Sequence, residues 1–158
     1  MPFRAFLDAN VLVSARLRDV LLTLAEVALY EARWSPVVLA EVERHLPSTM
    51  AGDVVAAAVF SRSEALVTSD CRLRQELESY PELIEAQTPS AFVAYAIDSD
   101  LSCAGSALLN MAARRWLAGA ESAANPAIRD RLAVWARREL GDAVSDLILQ
   151  PEFRSRVG

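Results

Sequence analysis

Four carboxylates in this chain stand where an acid is hard to explain by solubility alone: Asp8, Glu41, Asp53 and Asp70. Asp8 sits in Phe6-Leu7-Asp8-Ala9-Asn10-Val11-Leu12, an apolar run that reads as a short buried strand entering a turn. Buried parallel strands are near-continuous apolar runs, so an acid in one is an anomaly. Asp70 repeats the arrangement after Ala65-Leu66-Val67-Thr68-Ser69. Glu41 falls at the border of the apolar face of a helix, and Asp53 opens a compact helix rich in Ala. Carboxylates gathered at one sheet end repel each other and hold their protons unless a cation joins them. The fitting cation is a hard one that takes oxygen ligands, such as Mg²⁺. Such an ion activates water and steadies the charge of a phosphodiester in transit.

Three of the acids also have a plainer reading. Asp8 with Asn10 suits an Asx turn or a helix cap. Asp53 suits the positive end of a helix dipole. Glu41 alone is an ordinary surface residue. The metal reading rests on the acids acting together.

The elements that must bring them together alternate. Strands are expected at the first motif, at residues 32–34, 65–68 and 83–86. Helices are expected from Asp19, as cap, to about residue 31, then after Ser35-Pro36, over residues 53–60 and 72–78, and from Thr88-Pro89 to about residue 97. Ser14 to Arg18 reads as a polar connection, with Arg16 and Arg18 near the Asp8 end of the strand. Strand–helix alternation predicts a parallel sheet, and ligands of such sheets bind beyond the carboxyl ends of strands. The tail reads as helical: residues 102–118, a helix opened by Asn125-Pro126 and closed by Gly141, and a short helix before Pro151. The expected organisation is an α/β domain over residues 1–98, shortened between 46 and 53, followed by a helical extension over 99–158.

Composition removes other chemistries. The 158 residues are 53% hydrophobic and 23% charged, which suits a globular chain. Charge at Arg4 and Asp8 interrupts any signal-peptide core, and no apolar run approaches membrane length. No membrane contact is therefore expected. Two cysteines without metal spacing, Cys71 and Cys103, point to a reducing cytoplasm. A single His45 excludes zinc sites built on several His ligands, and no glycine-rich phosphate loop occurs. The net charge of −5 is unhelpful for nucleic acid, but it is uneven. Residues 1–98 carry eight Arg against fourteen acids, and residues 99–158 carry eight Arg against seven. Arg114-Arg115 and Arg137-Arg138 suit either a basic face for RNA or an acidic partner, or a solvated helix surface.

These motifs together resemble the PIN domain: the first strand with Asp8 and Asn10, Trp34-Ser35-Pro36 with Glu41, the run from Ala56 through Thr68-Ser69-Asp70, and Thr88-Pro89-Ser90-Ala91-Phe92. The resemblance covers residues 1–98. It implies a three-layer α/β/α fold with a short parallel sheet of about four strands, and a ribonuclease dependent on Mg²⁺ or Mn²⁺. It makes Asp8, Glu41, Asp53 and Asp70 the metal-binding and catalytic acids, supported by Asn10, Thr68 and Ser69. It also implies an RNA substrate, an antitoxin protein as partner if the chain is the toxin of a toxin–antitoxin pair, and a homodimer.

Two features depart from the family. Only eleven residues separate Glu41 from Asp53, where the family carries a longer segment. Counted back from Asp70, the third acid falls at Ala51 or Gly52 instead of Asp53. A shortened domain that binds without cutting is therefore the alternative function. A haloacid-dehalogenase-like phosphatase would need Asp where Asn10 stands.

Overall fold

In a computed structural model, residues 3–34, 62–117 and 122–156 are described. Four short strands form one all-parallel sheet: β1 (Arg4–Leu7), β2 (Glu31–Arg33), β3 (Ala65–Val67) and β4 (Glu85–Gln87), in the order β2-β1-β3-β4. The fold class is α/β, as the alternation requires. The two interior strands are the two apolar ones. Ala5, Phe6 and Leu7 of β1 and all of β3 are buried, while β2 and β4 are only partly covered. Strands covered on both faces need apolar side chains at successive positions, and edge strands do not.

The chain order explains where a site can form. From β1 the chain returns to the sheet on one side as β2, then on the other side as β3. The carboxyl ends of β1 and β3 therefore flank the topological switch point, the crevice that α/β sheets use for ligands. The register pairs Leu7 with Val67, so the next residues out, Asp8 and Thr68, are neighbours.

Among the described residues the helices are α1 (Ala9–Leu12), a single turn, then α2 (Ala15–Glu26), α3 (Cys71–Glu78), α4 (Pro89–Ser99), α5 (Leu101–Met111), α6 (Pro126–Glu139) and α7 (Asp142–Ile148). A π turn, Ala112–Trp116, continues α5. Several ends follow their sequence signals. Asn125 accepts a hydrogen bond from the Ala127 N–H at 2.9 Å, with Pro126 at the first helical position of α6. Gly141 follows α6 with φ of +100°, a conformation open to glycine and strained for other residues.

The start and stop of α2 differ from expectation. It begins at Ala15, four residues before Asp19, and the Asp19 carboxylate is not its cap. That carboxylate instead accepts from Arg115 Nη1 at 3.0 Å and Trp116 Nε1 at 3.1 Å. The helix stops at Glu26 because Ala28 turns left-handed, with φ of +60°. The Leu29 N–H then reaches back to the Leu24 carbonyl at 3.1 Å, the long bond of a Schellman-type stop.

By its internal contacts the chain divides into two compact units, Met1–Arg18 with Tyr30–Pro89, and Asp19–Leu29 with Ser90–Gly158. The core of the first includes Phe6, Leu7, Val11, Leu66, Val67 and Leu73, and that of the second Phe92, Ile97, Leu108, Ile128, Leu132 and Phe153, all buried. No helix among the described residues is long and apolar enough to cross a membrane.

Candidate metal and catalytic centre

Asp8 lies one residue past β1, in extended backbone with φ of −71° and ψ of 149°. Its N–H donates to the Val67 carbonyl at 3.0 Å, extending the ladder by one step. Its carbonyl accepts from the Val11 N–H at 3.1 Å, closing the turn of α1. Its side chain makes no capping hydrogen bond, so the plainer cap reading of Asp8 does not describe it.

The carboxylate is instead held from β3. Thr68 Oγ1 donates to Asp8 Oδ2 at 2.8 Å, and Asn10 Nδ2 donates to the same oxygen at 3.2 Å. Asn10 Nδ2 also lies 3.1 Å from Thr68 Oγ1, and Asn10 Oδ1 accepts from the Ser69 N–H at 3.0 Å. The Asp70 N–H donates to Thr68 Oγ1 at 3.1 Å. Two strand-end loops, almost sixty positions apart in sequence, are thus tied through one hydroxyl and one amide.

All these bonds to Asp8 fall on Oδ2. Among the described residues its other oxygen, Oδ1, is buried with no hydrogen-bond partner, and the whole residue is 1% exposed. Burial pushes the Asp8 carboxyl above the ordinary carboxylate value. The Thr68 hydroxyl, the Ala9 N–H and the Asn10 amide pull it back, and the charge of Asp70 adds to the rise. Buried charges in proteins are paired or coordinate metals. Among the described residues, the charge that acts on Asp8 is a second carboxylate, Asp70.

Asp70 is a helix cap that also stands beside Asp8. Its Oδ1 accepts from the Leu73 N–H at 3.1 Å and caps α3. The cap fixes the side chain at the mouth of the crevice, where it is half-buried and within electrostatic reach of Asp8.

The donor set fits a hard divalent cation: an unpartnered carboxylate oxygen, a second acid beside it, and a hydrogen-bonded frame fixing the first. Mg²⁺ commonly takes one or two protein carboxylates and keeps several waters. Among the described residues no three His, Cys, Asp or Glu side chains gather as a metal group. Glu41 and Asp53, the other two acids of the expected set, lie outside the described residues, as does His45.

Of the remaining candidates, Ser69 is exposed and takes part through its N–H. Arg18 is committed to the Leu12 carbonyl at 3.3 Å. One contributor escapes the sequence reading. Gln87, the last residue of β4, accepts the Thr68 N–H on its carbonyl at 3.0 Å, and its own side-chain oxygen is buried without a partner. Its signal is positional only: it is the polar residue that ends a strand beside the crevice.

Thr68 is the hub of this frame, so its hydroxyl can be tested alone. Thr68→Val keeps the shape and leaves Asp8 Oδ2, Asn10 and the Asp70 N–H each short of a partner. Unsatisfied buried groups cost about 1–3 kcal/mol. The expected loss in urea unfolding is of that size, and Thr68→Ser should recover most of it.

No protein-family model, no curated protein and no solved structure matches the chain.

Proposed function

We propose that this chain is a divalent-metal-dependent endoribonuclease of the PIN type. One observation carries the reading. A buried carboxylate with one unpartnered oxygen lies at the switch point of a parallel sheet, beside a second acid from the neighbouring strand end.

Asp8 and Asp70 are the residues that would hold Mg²⁺ or Mn²⁺, with Glu41 and Asp53 as the further acids of the resemblance. When bound, the ion supplies Lewis-acid activation of water and neutralises charge on the phosphodiester. The residues supply position. Thr68 and Asn10 hold Asp8 Oδ2 and, among the described residues, leave Oδ1 without a hydrogen-bond partner. The cap on α3 keeps Asp70 from swinging into solvent. The Asn10–Ser69 bond fixes the spacing of the two loops, and so of the two acids. Fixed acids need no reorganisation at the moment of reaction, which is the usual source of electrostatic catalysis. The antitoxin partner and the homodimer belong to the same reading.

The test is cleavage of a labelled single-stranded RNA with Mn²⁺ present or chelated, alongside calorimetric titration of Mn²⁺ into the protein. Saturable binding with chelator-sensitive cleavage is the expected result. Saturable binding without cleavage of RNA would point to another phosphoester substrate. Neither binding nor cleavage would leave the shortened, non-catalytic module as the function.

A further inference from the structure

The second unit carries a concentration of positive charge that the metal centre does not use. Between residues 112 and 139 six Arg stand against three acids, Glu121, Asp130 and Glu139. Four of these Arg, the pairs Arg114-Arg115 and Arg137-Arg138, occupy last turns, of the π turn and of α6. There they complement the helix dipole, which accounts for them singly. It does not account for Arg131, in the middle of α6, nor for how the two groups are brought together.

Trp116 and Trp135 meet edge to face, with ring centres 5.1 Å apart, and so join the π turn to α6. On α6, Arg131 and Arg138 lie four residues before and three after Trp135. At about 100° per residue both project within roughly 40–60° of the Trp135 direction, on the same side. Trp135 is buried, while Arg131 and Arg138 are exposed. The indole contact therefore joins the turn that carries Arg114 and Arg115, exposed as well, to the helix that carries Arg131 and Arg138. Local acids pair with two of the four. Asp19 engages Arg115 at 3.0 Å, and Glu139 lies 3.3 Å from Arg138 in an exposed pair of the kind that contributes little. Asp130 projects on a different side of α6. π turns of this sort recur at functional sites.

We propose that this strip, Arg114, Arg115, Arg131 and Arg138, holds the phosphate backbone of single-stranded RNA. Guanidinium groups fork onto phosphates, and a row of them without a base-reading pocket binds the backbone whatever the sequence. The proposal rests on the ribonuclease reading for the identity of its polyanion. It assigns to the acidic chain a separate place where RNA is attracted.

The experiment is fluorescence anisotropy of a labelled single-stranded RNA of roughly 12 nucleotides in EDTA, over a range of salt. Three proteins are compared: wild type, Asp8→Asn, and the triple variant Arg114→Gln/Arg131→Gln/Arg138→Gln. Arg115 is spared for its bond to Asp19. Asp8→Asn, which leaves the strip intact, should keep the salt slope of the wild type. The triple variant should bind about tenfold more weakly at moderate salt, and its log–log salt slope should fall by about 2, three contacts at ~0.7 each. Its melting temperature should match wild type, excluding a folding defect. Equal binding and equal slopes in the triple variant would overturn the strip. So would tighter capture of an acidic peptide than of RNA, with RNA left unbound. A wild type that binds through the strip but never cuts RNA would sustain the strip and remove the ribonuclease reading. A wild type that cuts RNA while the triple variant binds unchanged would do the reverse.

Discussion

The Asp8→Asn protein should lose Mn²⁺-dependent RNA cleavage by at least about 100-fold and melt at a higher temperature than wild type in metal-free buffer at neutral pH. The two effects have one cause. Asp8 is a buried acid whose Oδ1 meets no donor and whose neighbour Asp70 carries the same charge. In the folded chain its neutral form is favoured, so its pKa lies above the unfolded value. A group shifted that way contributes stability below the unfolded pKa, and the contribution is lost as pH rises through the folded pKa. At neutral pH the wild type therefore bears a destabilising carboxylate. Asn keeps the shape and an acceptor for Thr68 and removes the charge. The expected gain is about 1 kcal/mol, or roughly 2–4 °C for a chain of this size.

The same argument fixes two controls. Below the ordinary carboxylate value of 3.8 both proteins are neutral at this position and their melting temperatures should converge. Adding Mn²⁺ at neutral pH should raise the wild type alone, by about 2.7 kcal/mol at a hundred times its Kd. An Asp8→Asn protein less stable than wild type in chelator at neutral pH would show that the carboxylate is satisfied as it stands. The cation reading would then lose its physical basis. Removing a catalytic charge commonly stabilises a fold in this way, because the arrangement that does chemistry is not the one that maximises stability.

How much of this could be read from the chain varies with the range of the interaction involved. The interior strands were legible because burial on both faces demands unbroken apolar runs, and the acids that ended those runs stood out against them. Asn125 was legible as a cap because a cap is made with residues two or three positions on, and the same short range explains the Asp70 cap, which the chain showed only as an acid past a strand end. Asp8 shows the limit. By residue type and position it resembles Asp70, yet one caps and the other does not. The difference lies in Thr68, which is sixty positions away in sequence and adjacent only through the β1–β3 register. The beginning of α2 was misplaced for a related reason. Asp19 looks like a cap, and its carboxylate is taken up by Arg115 and Trp116 from the far end of the chain. Its stop was illegible because Ala28, with no glycine or asparagine to announce it, adopts the left-handed conformation. The π turn carries no local sequence signal either.

Gly105→Ala should destabilise the protein by about 3 kcal/mol, roughly 6–12 °C, although alanine is the better helix former. Gly105 lies in the middle of α5 and is buried. A glycine in a helix interior costs about 1 kcal/mol relative to alanine, so its presence needs a packing reason. The reason is the C-terminal segment. A Cβ on residue 105 would stand 2.5 Å from the Arg154 backbone nitrogen, 2.8 Å from the Phe153 carbonyl carbon and 2.9 Å from the Phe153 Cα. These are backbone atoms, which cannot rotate away as a side chain would. The segment is held there by Phe153, whose ring is fully buried, and by two bonds from Arg156, its N–H to Ser106 Oγ at 3.5 Å and its Nε to Ser102 Oγ at 3.0 Å. The methyl group must therefore displace a docked strap. The decisive measurement is a double-mutant cycle with Phe153→Ala, which by itself should cost about 3–5 kcal/mol. With the anchor gone the segment has little reason to dock, and the clash disappears. In that background Gly105→Ala should change sign and stabilise by up to about 1 kcal/mol, the bare helix propensity. Additive costs in the cycle would mean that the segment stays seated without its phenylalanine, and that the glycine is there for some other neighbour. The sign reversal separates a glycine selected for close approach from one that is merely tolerated, which neither single substitution can do.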